Sequence, residues 1–163
     1  MSSFTFEHIA FIREIDFSQN LIWVLHADKT PPHIGFSADQ LFYSLKANGK
    51  DEAIPVQKMT ELINRKKIPT LLIQLKSRLE SEIVNTVFST YQTAEFGKTT
   101  CLTPITQLLQ QSEVNQLSEL LTSIQPEISI VAGTHLPEKY TMLPSYSLED
   151  IHDYIQQLTQ HVE

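Results

Sequence analysis

Leu21-Ile22-Trp23-Val24-Leu25-His26, then His33-Ile34-Gly35-Phe36, then Leu41-Phe42-Tyr43-Ser44-Leu45-Lys46 are three runs of strand length that follow one another closely. They are rich in β-branched and aromatic residues, which suit a pleated, half-buried surface. Turn formers separate them: Ser18-Gln19-Asn20 before the first, Lys29-Thr30-Pro31-Pro32 and Ser37-Ala38-Asp39-Gln40 between them, Asn48-Gly49 after the last. Connections this short leave no room for crossover helices, so the strands form an antiparallel meander. Phe4 to Phe6 reads as a further strand at the start.

Beyond the Asn48-Gly49-Lys50-Asp51 turn the period changes. Pro55 to Lys67 carries Val56, Met59, Leu62 and Ile63 on one helical stripe, opened by a proline and closed by Arg65-Lys66-Lys67 at its negative pole. Ile68-Pro69 stops it, and Thr70 to Leu75 is short and apolar enough for a buried strand. In the second half Ser77 to Tyr91 aligns Leu79, Ile83, Val84, Val87 and Phe88, with Glu80 and Glu82 near its start. After the Gly97-Lys98-Thr99-Thr100 loop, Cys101 to Ile124 predicts one helix, or two joined by a kink near Gln111-Ser112-Glu113. Glu127 to Ala132 is a late strand. A final helix, capped by Ser147, shows Leu148, Ile151, Ile155 and Leu158 on one face. The expected class is α+β: an antiparallel β-meander or small barrel packed against helices. One domain spans 1–163, with 1–76 mainly strands and one helix, and 77–163 mainly helical with one late strand.

Of the 163 residues, 41% are apolar and 19% charged, enough for a core and too apolar for a disordered chain. Twelve Lys and Arg against 19 Asp and Glu leave a net charge of −7, a field that repels nucleic acid and anionic surfaces. Arg65-Lys66-Lys67 is the one local exception. No signal-peptide pattern opens the chain, and no apolar run approaches the ~20 residues of a membrane span. With one cysteine there is no internal disulfide and no Cys-x-x-Cys pair, so the expected setting is the cytoplasm, with no cofactor and no metal.

That cysteine is the chemical lead. Cys101 follows a polar loop and opens a helical segment whose first turn contains Pro104. A thiol there is expected to feel the positive pole and free N–H groups, which lower its pKa and can hold an oxyanion. His33 starts His33-Ile34-Gly35-Phe36, where Gly35 permits a close approach by another backbone or a ligand and a rigid strand supports the imidazole.

These stretches, with Ile54-Pro55-Val56, resemble the strand sequence of NlpC-type papain-like hydrolases. In that superfamily the catalytic histidine starts a strand reading His, apolar, Gly, apolar. Base before nucleophile resembles the circularly permuted branch, which includes lecithin retinol acyltransferase-like proteins. The likeness covers roughly residues 20 to 110. It implies a permuted papain-like fold and a cysteine-dependent hydrolase or acyltransferase acting on an amide or ester. Cys101 would be nucleophile, His33 base, and Ser44, or its neighbour, the group that orients the ring. Serine departs from the His, Asn or Gln more usual at that position. The implied partner is a small-molecule or peptide substrate.

Other readings stand beside this one. Cys101 and His33 can be ordinary packed residues, which leaves a non-catalytic binding or scaffold module with the same fold. His26, Asp28, His33 and Asp39 carry metal-ligand atoms but match no ligand spacing. His135 lies after Cys101, in ordinary papain order, and is the rival base. The helical half, with its acidic charge, can also serve as a surface for a basic partner.

Overall fold

A computed structural model describes residues 4–95, 98–144 and 148–160. Gly97 of the loop before Cys101, the Ser147 cap, and the side chains of Leu148 and Leu158 lie outside the described residues. The elements are β1 (Ala10–Phe11), β2 (Leu21–Leu25), β3 (His33–Ala38), β4 (Leu41–Lys46), β5 (Gly49–Pro55), α1 (Val56–Lys66), β6 (Thr70–Leu75), α2 (Ser81–Ser89), α3 (Thr103–Leu108), α4 (Leu117–Ser123), β7 (Ile128–Thr134) and α5 (Leu148–Gln160).

The seven strands form one sheet in the order β1-β7-β6-β2-β3-β4-β5. Only the β1–β7 pairing is parallel. The α+β class and the meander are as the sequence indicates, with β2 to β5 running antiparallel in succession. The sheet is open, so the small-barrel alternative does not hold: β1 and β5 are its two edges.

Alternation along the central strands sorts the core into two layers. Trp23, Phe42 and Leu72 point to one face, where Val56, Met59 and Ile63 of α1 cover them. Ile22, Ile34, Phe36, Tyr43, Leu71 and Ile73 point to the other, beneath Val84 and Phe88 of α2, Ile105 of α3, Leu120 of α4 and Ile151 of α5. Helices therefore cover both faces, and β2, β3 and β4 are almost wholly buried.

Three local expectations are corrected. Phe4 to Phe6 is not a strand but makes an isolated bridge, Thr5 with Met142. The segment Gly49–Pro55, expected as turn and approach to the helix, is the edge strand β5; its Lys50-Asp51-Glu52 charges hide the strand pattern and suit an edge. The helix expected from Ser77 starts at Ser81. Asn20 holds the preceding backbone extended, its side chain bonding both the N–H and C=O of Leu79, and Asp39 takes the Ser81 N–H at 2.8 Å. Of the two readings of 101–124 the two-helix one holds, with the break at Gln111-Ser112-Glu113 and the first helix closed off near Gln110, which has a left-handed φ of 58°.

Gly35 permits a close approach, as its sequence context suggests, by the Phe42 ring and the Tyr43 backbone carbonyl, while Trp23 pairs with Gly35 across the ladder and donates its indole N–H to Ser37 Oγ at 2.8 Å. A methyl at 35 would press into the Phe42 ring and sit 3.0 Å from the Tyr43 carbonyl. Gly35→Ala is therefore expected to lose about 1–3 kcal/mol of stability. Urea unfolding checks this, and a midpoint equal to wild type would mean that the ring yields freely.

Candidate functional site

The β2–β3 connection, the first residues of β3, the β4–β5 hairpin, the end of α1 and the segment around Cys101 surround a cleft of about 880 Å³, with α5 contributing Ile151, Tyr154 and Ile155 to its wall. His33 and Cys101, distant in sequence, both line it. His33 arrives as the first residue of β3, and Cys101 approaches from the loop ahead of α3.

Cys101 is not in a helix. It occupies a turn bracketed by threonines, with Thr100 N–H donating to Thr103 Oγ1 at 2.9 Å and Leu102 N–H to Thr100 Oγ1 at 3.2 Å. Helix α3 starts only at Thr103 and has six residues. Cys101 is half-buried, and the backbone N–H groups of Ile34, next in chain to His33, and of Cys101 itself lie on the side of its sulfur. These favour the thiolate, but burial outweighs them and pushes the thiol up to about 11. The direction is opposite to the one expected for a thiol at a helix start, because the two amides offset less than desolvation costs.

Ser44 stands between His33 and Asp51 as a hydrogen-bonded bridge. His33 Nε2 lies 3.0 Å from Ser44 Oγ, and Ser44 Oγ donates to Asp51 Oδ2 at 2.8 Å. Asp51 Oδ1 is in turn 3.2 Å from Lys46 Nζ. The proton inventory fixes the histidine tautomer. An ionised carboxylate only accepts, so the serine proton goes to Asp51 and the Ser44 oxygen must accept from His33 Nε2–H. Nδ1 is then left with its lone pair free to accept a proton. Burial, partly countered by the Asp51 charge, pushes the imidazole down to about 4, so the ring is neutral across the physiological range.

Asp51 is the residue that sequence reasoning missed. It pairs with Ser44 across β4 and β5, and the register between them is reset by a bulge in which Ala53 takes a left-handed φ of 52°. Bulges of this kind re-aim side chains beside sites. His26, read above as the end of the first strand run, stands just past β2 and is a second imidazole in the cleft, its pKa lowered by burial and by the neighbouring Lys29. His135, the rival base, stands elsewhere: its Nε2 lies 3.1 Å from Asn64 Oδ1 on α1, and it does not line the cleft. Among the described residues no group of three or more His, Cys, Asp or Glu could hold a metal ion. No described helix is long and apolar enough to cross a membrane.

Comparison with protein-family models, with curated proteins and with solved structures finds no match in any of the three.

Proposed function

We propose that the cleft performs thiol-dependent acyl transfer from an amide or ester, on a fold of the permuted papain-like kind. The observation that carries the reading is the joint placement of Cys101 and His33 in one cleft, with the Nε2 side of the ring already committed to Ser44 and Asp51. In this reading Cys101 Sγ attacks the carbonyl carbon while Nδ1 of His33 takes the thiol proton. The tetrahedral intermediate collapses, the C–N or C–O bond breaks, and the imidazolium returns that proton to the departing amine or alcohol. Water, or another acceptor, then takes the acyl group from the thioester. Asp51 acts through Ser44 as a positioning residue that stabilises the ring as it becomes cationic. A small-molecule or peptide substrate and a reducing, cytoplasmic setting fit a lone thiol.

The resting pair is neutral. Burial raises the thiol and lowers the imidazole, so both directions oppose a resting thiolate–imidazolium pair, and in this reading proton transfer accompanies attack. The same neutrality favours the second reading, a ligand-binding module in which neither group reacts.

Incubating the full chain with p-nitrophenyl acetate separates the two readings. Acyl transfer predicts an acetyl adduct on Cys101 by mass spectrometry, formed about 10- to 100-fold more slowly in Ser44→Ala and Asp51→Asn. Slowing with a changed pH profile marks a positioning role. Absence of any adduct on Cys101 leaves the binding module.

A further inference from the structure

The cleft is charged against the trend of the chain. The protein carries −7 overall, yet the Lys, Arg, Asp and Glu side chains lining the cleft are Lys29, Lys46, Lys66 and Lys67 against Asp28 and Asp51. Lys46 and Asp51 are paired at 3.2 Å and cancel locally. None of the ion pairs among the described residues involves Lys29, Lys66 or Lys67.

The backbone gathers these three. Ala27 N–H donates to Pro69 O at 3.0 Å, which stitches the turn after β2 to the turn after α1, and Lys29 N–H closes that first turn on His26 O at 2.9 Å. Lys66 and Lys67 offset the negative pole of α1, which accounts for their sign. It does not account for Lys29, which belongs to a separate loop brought beside them. Outside the Lys46–Asp51 pair, the cleft is thus lined by three ammonium groups and one carboxylate, Asp28, and a concave wall with an apolar interior of Leu25, Leu45, Leu102 and Ile151 concentrates their field.

We propose that this cleft takes ligands built as a short apolar stem ending in an anionic group, with the anion against Lys29, Lys66 and Lys67 and the stem lying along the apolar wall toward Cys101. Joined to the acyl-transfer reading, on which this step rests for the reactive carbonyl alone, the substrate is an amide or ester bearing an acidic group remote from the bond that breaks.

Three matched probes test the charge without requiring chemistry: hexanoate, hexanamide and hexylammonium, titrated calorimetrically into the full chain. Exposed ion pairs are individually weak, so three together are expected to favour hexanoate by about tenfold over either other probe, an advantage that shrinks at high salt. The triple variant Lys29→Gln, Lys66→Gln, Lys67→Gln alters exposed side chains only and should erase the preference. Equal binding of the three probes, no binding of any, or a preference for hexanoate that survives in the variant overturns the proposal. Repeating the titration in Cys101→Ser keeps the two ideas apart. Charge-selective binding without acetylation of Cys101 sinks acyl transfer alone, and acetylation without charge selectivity sinks the anionic ligand alone.

Discussion

Cys101→Ser is expected to abolish turnover of an activated ester, with a fall of about 10⁴-fold or more, and His33→Ala to reduce it by about 10²- to 10⁴-fold. The two effects should not add, because nucleophile and base act as one unit in the proposed step. The pH profile is the sharper measurement. With the imidazole pushed down to about 4, the base is available well into the acid range, and the acid limb of kcat/KM should fall near pH 4 to 5 instead of near the ordinary histidine value of 6.5. Iodoacetamide labelling of the resting protein gives the complementary result. A thiol held near 11 should alkylate slowly at pH 7, without a plateau at low pH. Rapid labelling at pH 6 would mean that a thiolate–imidazolium pair exists at rest, and the neutral-pair description would fail.

Stability should depend on pH from both sides, and the signs follow from which state holds the proton. His33 has its value lowered from 6.5 to about 4 in the folded chain, so between those values the unfolded chain binds the proton and the folded one does not. Stability is full above about 6.5 and declines as pH falls toward 4, by about 3 kcal/mol in all. Cys101 is raised from 9.0 to about 11, so the unfolded chain ionises first on the alkaline side. Stability is full below 9 and declines as pH rises toward 11, again by about 3 kcal/mol. Tyr140, whose hydroxyl donates to Ala27 O at 2.8 Å, is raised from 10.0 to about 12 and extends the alkaline decline. Melting temperature plotted against pH should therefore show a plateau from about 6.5 to 9. His33→Gln should flatten the acid shoulder, and Cys101→Ser the first part of the alkaline one. An acid shoulder unchanged in His33→Gln would show that the ring is not buried in its neutral form.

The meander was legible because its strands announce themselves: Leu21–Leu25, His33–Ala38 and Leu41–Lys46 are apolar, bounded by turns, and nearly continuous. Helix α1 and strand β6 were equally clear for the same reason. What could not be seen was register. A two-residue loop at Asn48-Gly49 would have paired Ala47 with Lys50 and set Ala53 opposite Ser44. The loop is Ala47-Asn48 instead, so Lys46 pairs with Gly49 and Asp51 comes opposite Ser44. Moving the loop back by one residue shifts the pairing by two, which leaves each side chain on its face but exchanges the residue opposite Ser44, from Ala53 to Asp51. The electrostatic state of Cys101 was hidden for another reason. Cys101 packs against a core cluster assembled from residues far along the chain, and desolvation by distant elements leaves no mark on the flanking sequence. The likeness to papain-like hydrolases named His33, Cys101 and Ser44 on short motifs, and the structure adds where each of them lies.

Trp23 offers a practical dividend. It is the sole tryptophan of the chain, fully enclosed, and sits on the ladder position facing Gly35, two residues along the strand from His33. Ultraviolet excitation thus reads out a single fluorophore at the centre of the sheet. Any event that loosens the strand carrying the imidazole will shift and dim its emission, with no label attached and no second indole to subtract.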